Sequence, residues 1–202
     1  MSHIHQQPEA RGRTDAFGIL VVCTGNICRS PLAERLLQAG LDEASPGAFE
    51  VSSAGTFAHS GNPAQPGSLT IAAQLGVGLE DFRARQLEEE HIARADLVLV
   101  LARSHRPEVL ALSPSALKRT FTLREFARIL DHMPLRLQRE GTWPGLVAEA
   151  YRGRQHAAAS VAEHDDVTDP YRLGPGAYDQ MTQEMLPSLS TIIEAAVALR
   201  AK

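Results

Sequence analysis

Five residues separate Cys23 from Arg29 in the run Cys23-Thr24-Gly25-Asn26-Ile27-Cys28-Arg29-Ser30-Pro31. A thiol and a guanidinium at that spacing suit nucleophilic attack on a tetrahedral oxyanion. Before the run stands a short apolar stretch, Phe17 to Val22, of the kind a buried strand uses. After it, Leu32, Leu36, Leu37 and Leu41 recur at helical spacing, with Ser30 suited to an N-cap and Pro31 to a first turn. A loop between a strand and a helix N-terminus collects unpaired amide groups and the positive end of the helix dipole. Both favour an anion there, and both favour a thiolate, the nucleophilic form of cysteine. Residues 24–28 give enough chain to curl their amides around the anion, and Gly25 permits the tight path. Arg29 adds a planar fork that grips two oxygens and stays charged. Asn26 has the donors and acceptor to hold the loop in shape. The Ser30 hydroxyl can serve either as helix cap or as donor to Cys23.

Displacement by a thiolate builds negative charge on the departing oxygen, so a proton donor must stand opposite. Asp165, Asp166, Asp169 and Asp179 lie near one another, and only Asp169 precedes a proline. Pro170 biases Asp169 toward an extended conformation and stiffens the loop that aims it. Tyr171 then offers an aromatic wall for a substrate ring.

The run Cys-Thr-Gly-Asn-Ile-Cys-Arg-Ser-Pro resembles the signature of the low-molecular-weight protein-tyrosine phosphatases. Asp169-Pro170-Tyr171 resembles that family's acid motif. Ser52-Ser53-Ala54-Gly55-Thr56, Gly61-Asn62-Pro63-Ala64 and Ala84-Arg85-Gln86-Leu87 are similar to further elements of the family in the same order. The resemblance implies a three-layer α/β domain that hydrolyses phosphotyrosine through a phosphocysteine on Cys23. Arg29 and the loop Thr24, Gly25, Asn26, Ile27, Cys28 and Ser30 would bind phosphate, Asp169 would be the acid, and Tyr171 would line the substrate site. It implies no metal and no cofactor. The implied partners are a phosphotyrosine-containing protein and a cognate tyrosine kinase. It also implies that peroxide joins Cys23 to Cys28; the alternative is that Cys28 is a small apolar residue packed behind the loop.

Two positions depart from the family pattern. Phe82 stands where many relatives have a histidine of the loop network, and Arg172 where many have a second aromatic. Three rival functions stay open. An arsenate reductase of the same fold would need a small-thiol partner, since no cysteine follows Cys28. Protein-arginine phosphatases tend to carry Thr where this chain has Ile27, whose apolar branch suits a tyrosyl ring. A non-catalytic phosphate-binding module would need neither Cys23 nor Asp169.

Positioning these residues requires alternating elements. Strands are expected over Phe17 to Val22, near Glu50 to Ser53, Leu97 to Leu101 and near Thr120 to Thr122. Helices are expected from Pro31, near Ser68 to Leu75, near Pro107 to Leu112, and from about Ala177 onward with a kink at Pro187. Alternation of this kind predicts a central four-stranded parallel sheet with helices on both faces and the site at the carboxyl ends of the strands. Residues 132–166 form an apparent insertion, with a helix-like run from Leu146 to Val161 that would cap the site, bind a partner or decorate the surface.

A chain of 202 residues, 44% hydrophobic, fits one domain with one sizeable core, here 16–202 behind a disordered leader at 1–15. The net charge of −4 argues against nucleic acid as partner. No stretch approaches the roughly 20 apolar residues of a membrane span. Two cysteines in one reactive motif fit a reducing cytoplasm better than a secreted staple.

Overall fold

The computed structural model describes residues 16–134, 137, 141–157 and 164–200. The leader expected over 1–15 and the 158–161 end of the expected helix lie outside the described residues. Four strands, β1 (Phe17–Cys23), β2 (Phe49–Gly55), β3 (Leu97–Val100) and β4 (Thr120–Thr122), form one parallel sheet in the order β2-β1-β3-β4. β1 is central because its apolar run offers both faces for burial. Ile19, Val21 and Cys23 face the larger core, and Leu20 and Val22 the smaller one.

Helices α1 (Arg29–Ala44), α2 (Pro66–Gln74), α5 (Leu123–Asp131), α6 (Trp143–Ala157) and α7 (Pro175–Arg200) build the larger core. α3 (Glu89–Arg94), α4 (His105–Leu112) and the 3-10 turn Pro114–Arg119 close the other face through Ile92, Val109 and Ala116. α3 has no counterpart in the sequence reading, since its six residues hold too few apolar positions to show a period. α7 runs through Pro187 unbroken and buries Met181, Met185, Leu189, Ile192 and Ala196.

α1 starts two residues earlier than expected, with Cys28 at the N-cap and no side-chain cap. The capping role open to Ser30 is therefore corrected: its hydroxyl is engaged with Cys23 and Asn26 instead. Within the 132–166 stretch, the described part does more than the cap, partner surface or decoration that the sequence suggests. α6 buries Trp143, Leu146, Val147 and Ala150 in the larger core. Its first residue packs on Phe17 and Phe49 with ring centroids 5.6 and 5.3 Å away, at the amino ends of β1 and β2. Farther along α6, the Arg154 guanidinium lies 4.2 Å from the centre of the Phe121 ring and donates to the Thr120 carbonyl of edge strand β4. Edge strands present unpaired polar groups, and Arg154 of α6 meets one of those on β4.

Candidate active site

After Cys23 the chain turns sharply, and five of its carbonyls are tied away from the loop's inner face. Those of Cys23, Thr24, Gly25 and Ile27 accept from the amides of Thr56, Phe57, His59 and Gln65 at 2.8 to 3.0 Å. The Cys28 carbonyl accepts from the Ser68 hydroxyl at 3.1 Å. With carbonyls directed outward, the amide edge of the loop turns inward, as the Asn26 N–H shows by pointing at Cys23 Sγ from 3.3 Å. Consecutive inward amides make a nest for an anion. Gly55 makes the close approach feasible, because a Cβ there would stand 2.4 Å from the Thr24 carbonyl oxygen.

Asn26 fixes the direction of every proton behind the loop. It sits at φ 53°, a left-handed conformation that asparagine tolerates. Its Oδ1 accepts from the Arg85 amide at 2.8 Å, so its Nδ2 must be the donor to Ser30 Oγ at 2.8 Å and Ser53 Oγ at 2.9 Å. Ser53 in turn donates to Glu34 at 2.7 Å. Burial pushes the Glu34 carboxyl up from its ordinary value, and the Ser53 bond partly offsets this. Ser30, accepting from Asn26, is left with its own proton for Cys23 Sγ, 2.9 Å away. The network closes through the Arg85 backbone, and Phe82 packs in the larger core.

Arg29 is only 4% exposed. One terminal nitrogen donates to the Val167 carbonyl at 3.2 Å; the other reaches Thr24 Oγ1 at 3.5 Å and forms an ion pair with Asp169. Its buried Nε has no protein partner. A buried donor left unpaired costs free energy unless something else meets it, which marks this edge of the fork as a place for an acceptor.

Asp169 reaches the cavity from a loop held at many points. Val167 N–H donates to the Leu101 carbonyl at 2.8 Å, and Thr168 N–H to Glu184 at 2.7 Å. Arg128 grips both Asp165 oxygens at 2.9 and 2.8 Å, while Arg103 holds Asp166 and Arg124 its carbonyl. Asp169 is therefore the one aspartate of the sequence cluster that lines the cavity, with Asp165 and Asp166 engaged behind it.

The cavity, about 230 Å³, is lined by Cys23, Thr24, Gly25, Ile27, Cys28, Arg29, Asp169 and Tyr171 from the sequence reading, joined by Phe57 and His59. Asn26 and Ser30 stand behind its floor. Tyr171 packs against His59 at 5.4 Å between ring centres, and Arg172 lies 5.1 Å over the Tyr171 ring. Cys28 has its thiol 3.7 Å from the Tyr178 hydroxyl, and burial pushes that thiol up to about 11. Phe57, His59 and His105 escaped the sequence reading. The first two sit in the loop between the Ser-Ala-Gly-Thr and Gly-Asn-Pro elements, and His105 opens α4 at the carboxyl end of β3, which is where a parallel sheet places functional groups.

The model of a family described as "Low molecular weight phosphotyrosine protein phosphatase" matches residues 18–136. A protein of Ralstonia solanacearum named as a probable low molecular weight protein-tyrosine-phosphatase, EpsP, is 42% identical over 59% of this chain and 79% of its own length. The low molecular weight protein-tyrosine-phosphatase of Streptomyces coelicolor is 33% identical over 90% of this chain and 93% of its own, a match that runs well past residue 136. Among solved structures, the YwlE arginine phosphatase of Geobacillus stearothermophilus superposes with a TM-score of 0.64 at 28% identity, covering 88% of this chain and 91% of that one.

Proposed function

Because the chain belongs to the low-molecular-weight protein-tyrosine phosphatase family, we propose that Cys23, Arg29 and Asp169 hydrolyse a phosphotyrosyl protein through a phosphocysteine intermediate. The observation that carries this reading is the buried, unpaired Arg29 Nε beside a cavity floored by Cys23. A phosphoryl group entering the nest takes the Arg29 fork and displaces Asp169 from it. Cys23 Sγ attacks phosphorus in line, and the bond to the tyrosyl oxygen breaks. Asp169, freed from Arg29, takes the proton that the Cys23 thiol gives up on becoming a thiolate and passes it to that oxygen. Water then attacks the phosphocysteine with Asp169 accepting its proton, and Cys23 leaves as a thiolate stabilised by the Ser30 hydroxyl and the Asn26 amide.

Ile27 and Tyr171 supply apolar walls for the tyrosyl ring. The YwlE likeness keeps phosphoarginine as the second reading, and the isoleucine at 27 weighs against it. Arsenate reduction with a small thiol and pure phosphate binding rank below both. We further propose a cytoplasmic setting, a cognate tyrosine kinase, and reversible peroxide control through Cys28. No helix among the described residues is long and apolar enough to cross a membrane.

The test is turnover of phosphotyrosine, phosphoarginine and phosphoserine peptides, and of arsenate with thiol reductants, by the wild type and Cys23→Ser. Phosphotyrosine is expected to be preferred and Cys23→Ser to be inactive. A Cys23→Ser enzyme keeping a tenth of the wild-type rate would remove Cys23 as nucleophile.

A further inference from the structure

His105 is 4% exposed, and its two ring nitrogens face different groups. The Ala102 N–H donates to Nδ1 at 3.1 Å, so Nδ1 is an acceptor. A neutral imidazole with Nδ1 accepting carries its proton on Nε2. Nε2 lies 2.9 Å from Thr24 Oγ1 and is therefore the donor in that bond. Arg29 also donates to Thr24 Oγ1, at 3.5 Å. Two donors occupy both lone pairs of the hydroxyl, and Thr24 lines the cavity beside Cys23 and Arg29. Its own O–H proton is then the single hydrogen it has to offer, available to an oxyanion in the nest.

We propose that His105 is a positioning residue of the phosphate site, which by donating to Thr24 aims the Thr24 hydroxyl at the bound phosphoryl group and steadies the Arg29 guanidinium. The inference rests on the phosphatase reading above. The backbone of β3 and α4 holds the imidazole, and the imidazole holds the second residue of the nucleophile loop. Because the ring is buried, water is a poor replacement for its N–H. Burial first, and the Arg29 charge second, hold His105 down to about 4 against the opposing pull of Asp169 and Asp166, so this tautomer persists through neutral pH.

The experiment compares His105→Gln, whose side-chain amide can still donate toward Thr24, with His105→Asn, which keeps an acceptor for the Ala102 N–H but stops short of Thr24. Inorganic phosphate binding is measured by calorimetry, and kcat and KM on para-nitrophenyl phosphate by rate. His105→Asn should weaken phosphate binding about tenfold, as expected for loss of a hydrogen bond to a charged group, while His105→Gln recovers most of it. In a Thr24→Val background His105→Asn should cost nothing further. Equal losses in both His105 variants, or a loss that persists beside Thr24→Val, would show that the imidazole only fills space. Should His105→Asn fail to fold, Thr24→Ser against Thr24→Val decides: phosphate affinity unchanged by Thr24→Val overturns the proposal. A wild type that binds phosphate yet hydrolyses no aryl phosphate would sink the phosphatase reading and leave the relay measurable by binding.

Discussion

Asp169 is the proposed catalytic residue most removed in sequence from the loop it serves, and its pairing with Arg29 makes a sharp expectation. Asp169→Asn should lower turnover roughly 10² to 10⁴ fold, the usual worth of acid–base catalysis, and less on an aryl phosphate whose leaving group needs little protonation. Asp165→Asn and Asp166→Asn, held by arginines outside the cavity, serve as controls in steady-state assays. Either one reproducing the full loss while Asp169→Asn stays active would reassign the acid. Cys28 carries a second expectation. Mild peroxide should inactivate reversibly, with a Cys23 to Cys28 disulfide in the mass spectrum, and recovery by dithiothreitol should be poorer in Cys28→Ser. Closure should also quicken as pH rises toward 11, because burial keeps the Cys28 thiol protonated at neutrality; a closure rate flat from pH 7 to 10 would count against it. At this scale the contiguous Cys23 to Pro31 run and Asp169-Pro170 were legible from residue order alone. The Asn26 to Ser53 to Glu34 chain and the Thr24 to His105 bond were not, because they join segments 19 to 81 residues apart whose single polar residues look ordinary in isolation.

Among the elements, four strands and helices α1, α2, α4, α6 and α7 followed from periodicity, most bounds shifting by one to three residues, whereas the six-residue α3 did not. α1 begins at Arg29 because the loop, and not a capping side chain, supplies its first turn. α6 was legible as a helix and not as a core element. Its sequence does not say what its apolar residues meet, and only the fold reveals that Trp143 packs on Phe17 and Phe49. Trp143→Ala should therefore destabilise the protein by about 3 to 5 kcal/mol, the range for truncating a buried aromatic, while kcat on aryl phosphate stays near wild type. Urea unfolding and steady-state kinetics on the same preparation check both halves. A large fall in kcat with an unchanged urea midpoint would mean that α6 acts on the site directly.

For the molecule as a whole, pH couples the site to stability. His105 is held at about 4 against 6.5 for a free imidazole, so between those values the unfolded chain binds the proton that the folded chain refuses. Its contribution is complete above the unfolded value and is lost as pH falls toward 4, by about 3 kcal/mol in total. The urea midpoint of the wild type should drop from pH 7 to pH 4.5 more steeply than that of His105→Asn; parallel curves would remove the contribution. The same distribution of groups sets what light can report. Trp143 is the chain's one tryptophan. It is packed at the amino ends of β1 and β2, and the seven residues of β1 set it about 20 Å from the nucleophile. Its intrinsic fluorescence is thus an unfolding signal blind to what occupies the cavity, and titrating a ligand by that emission would show silence even at saturation.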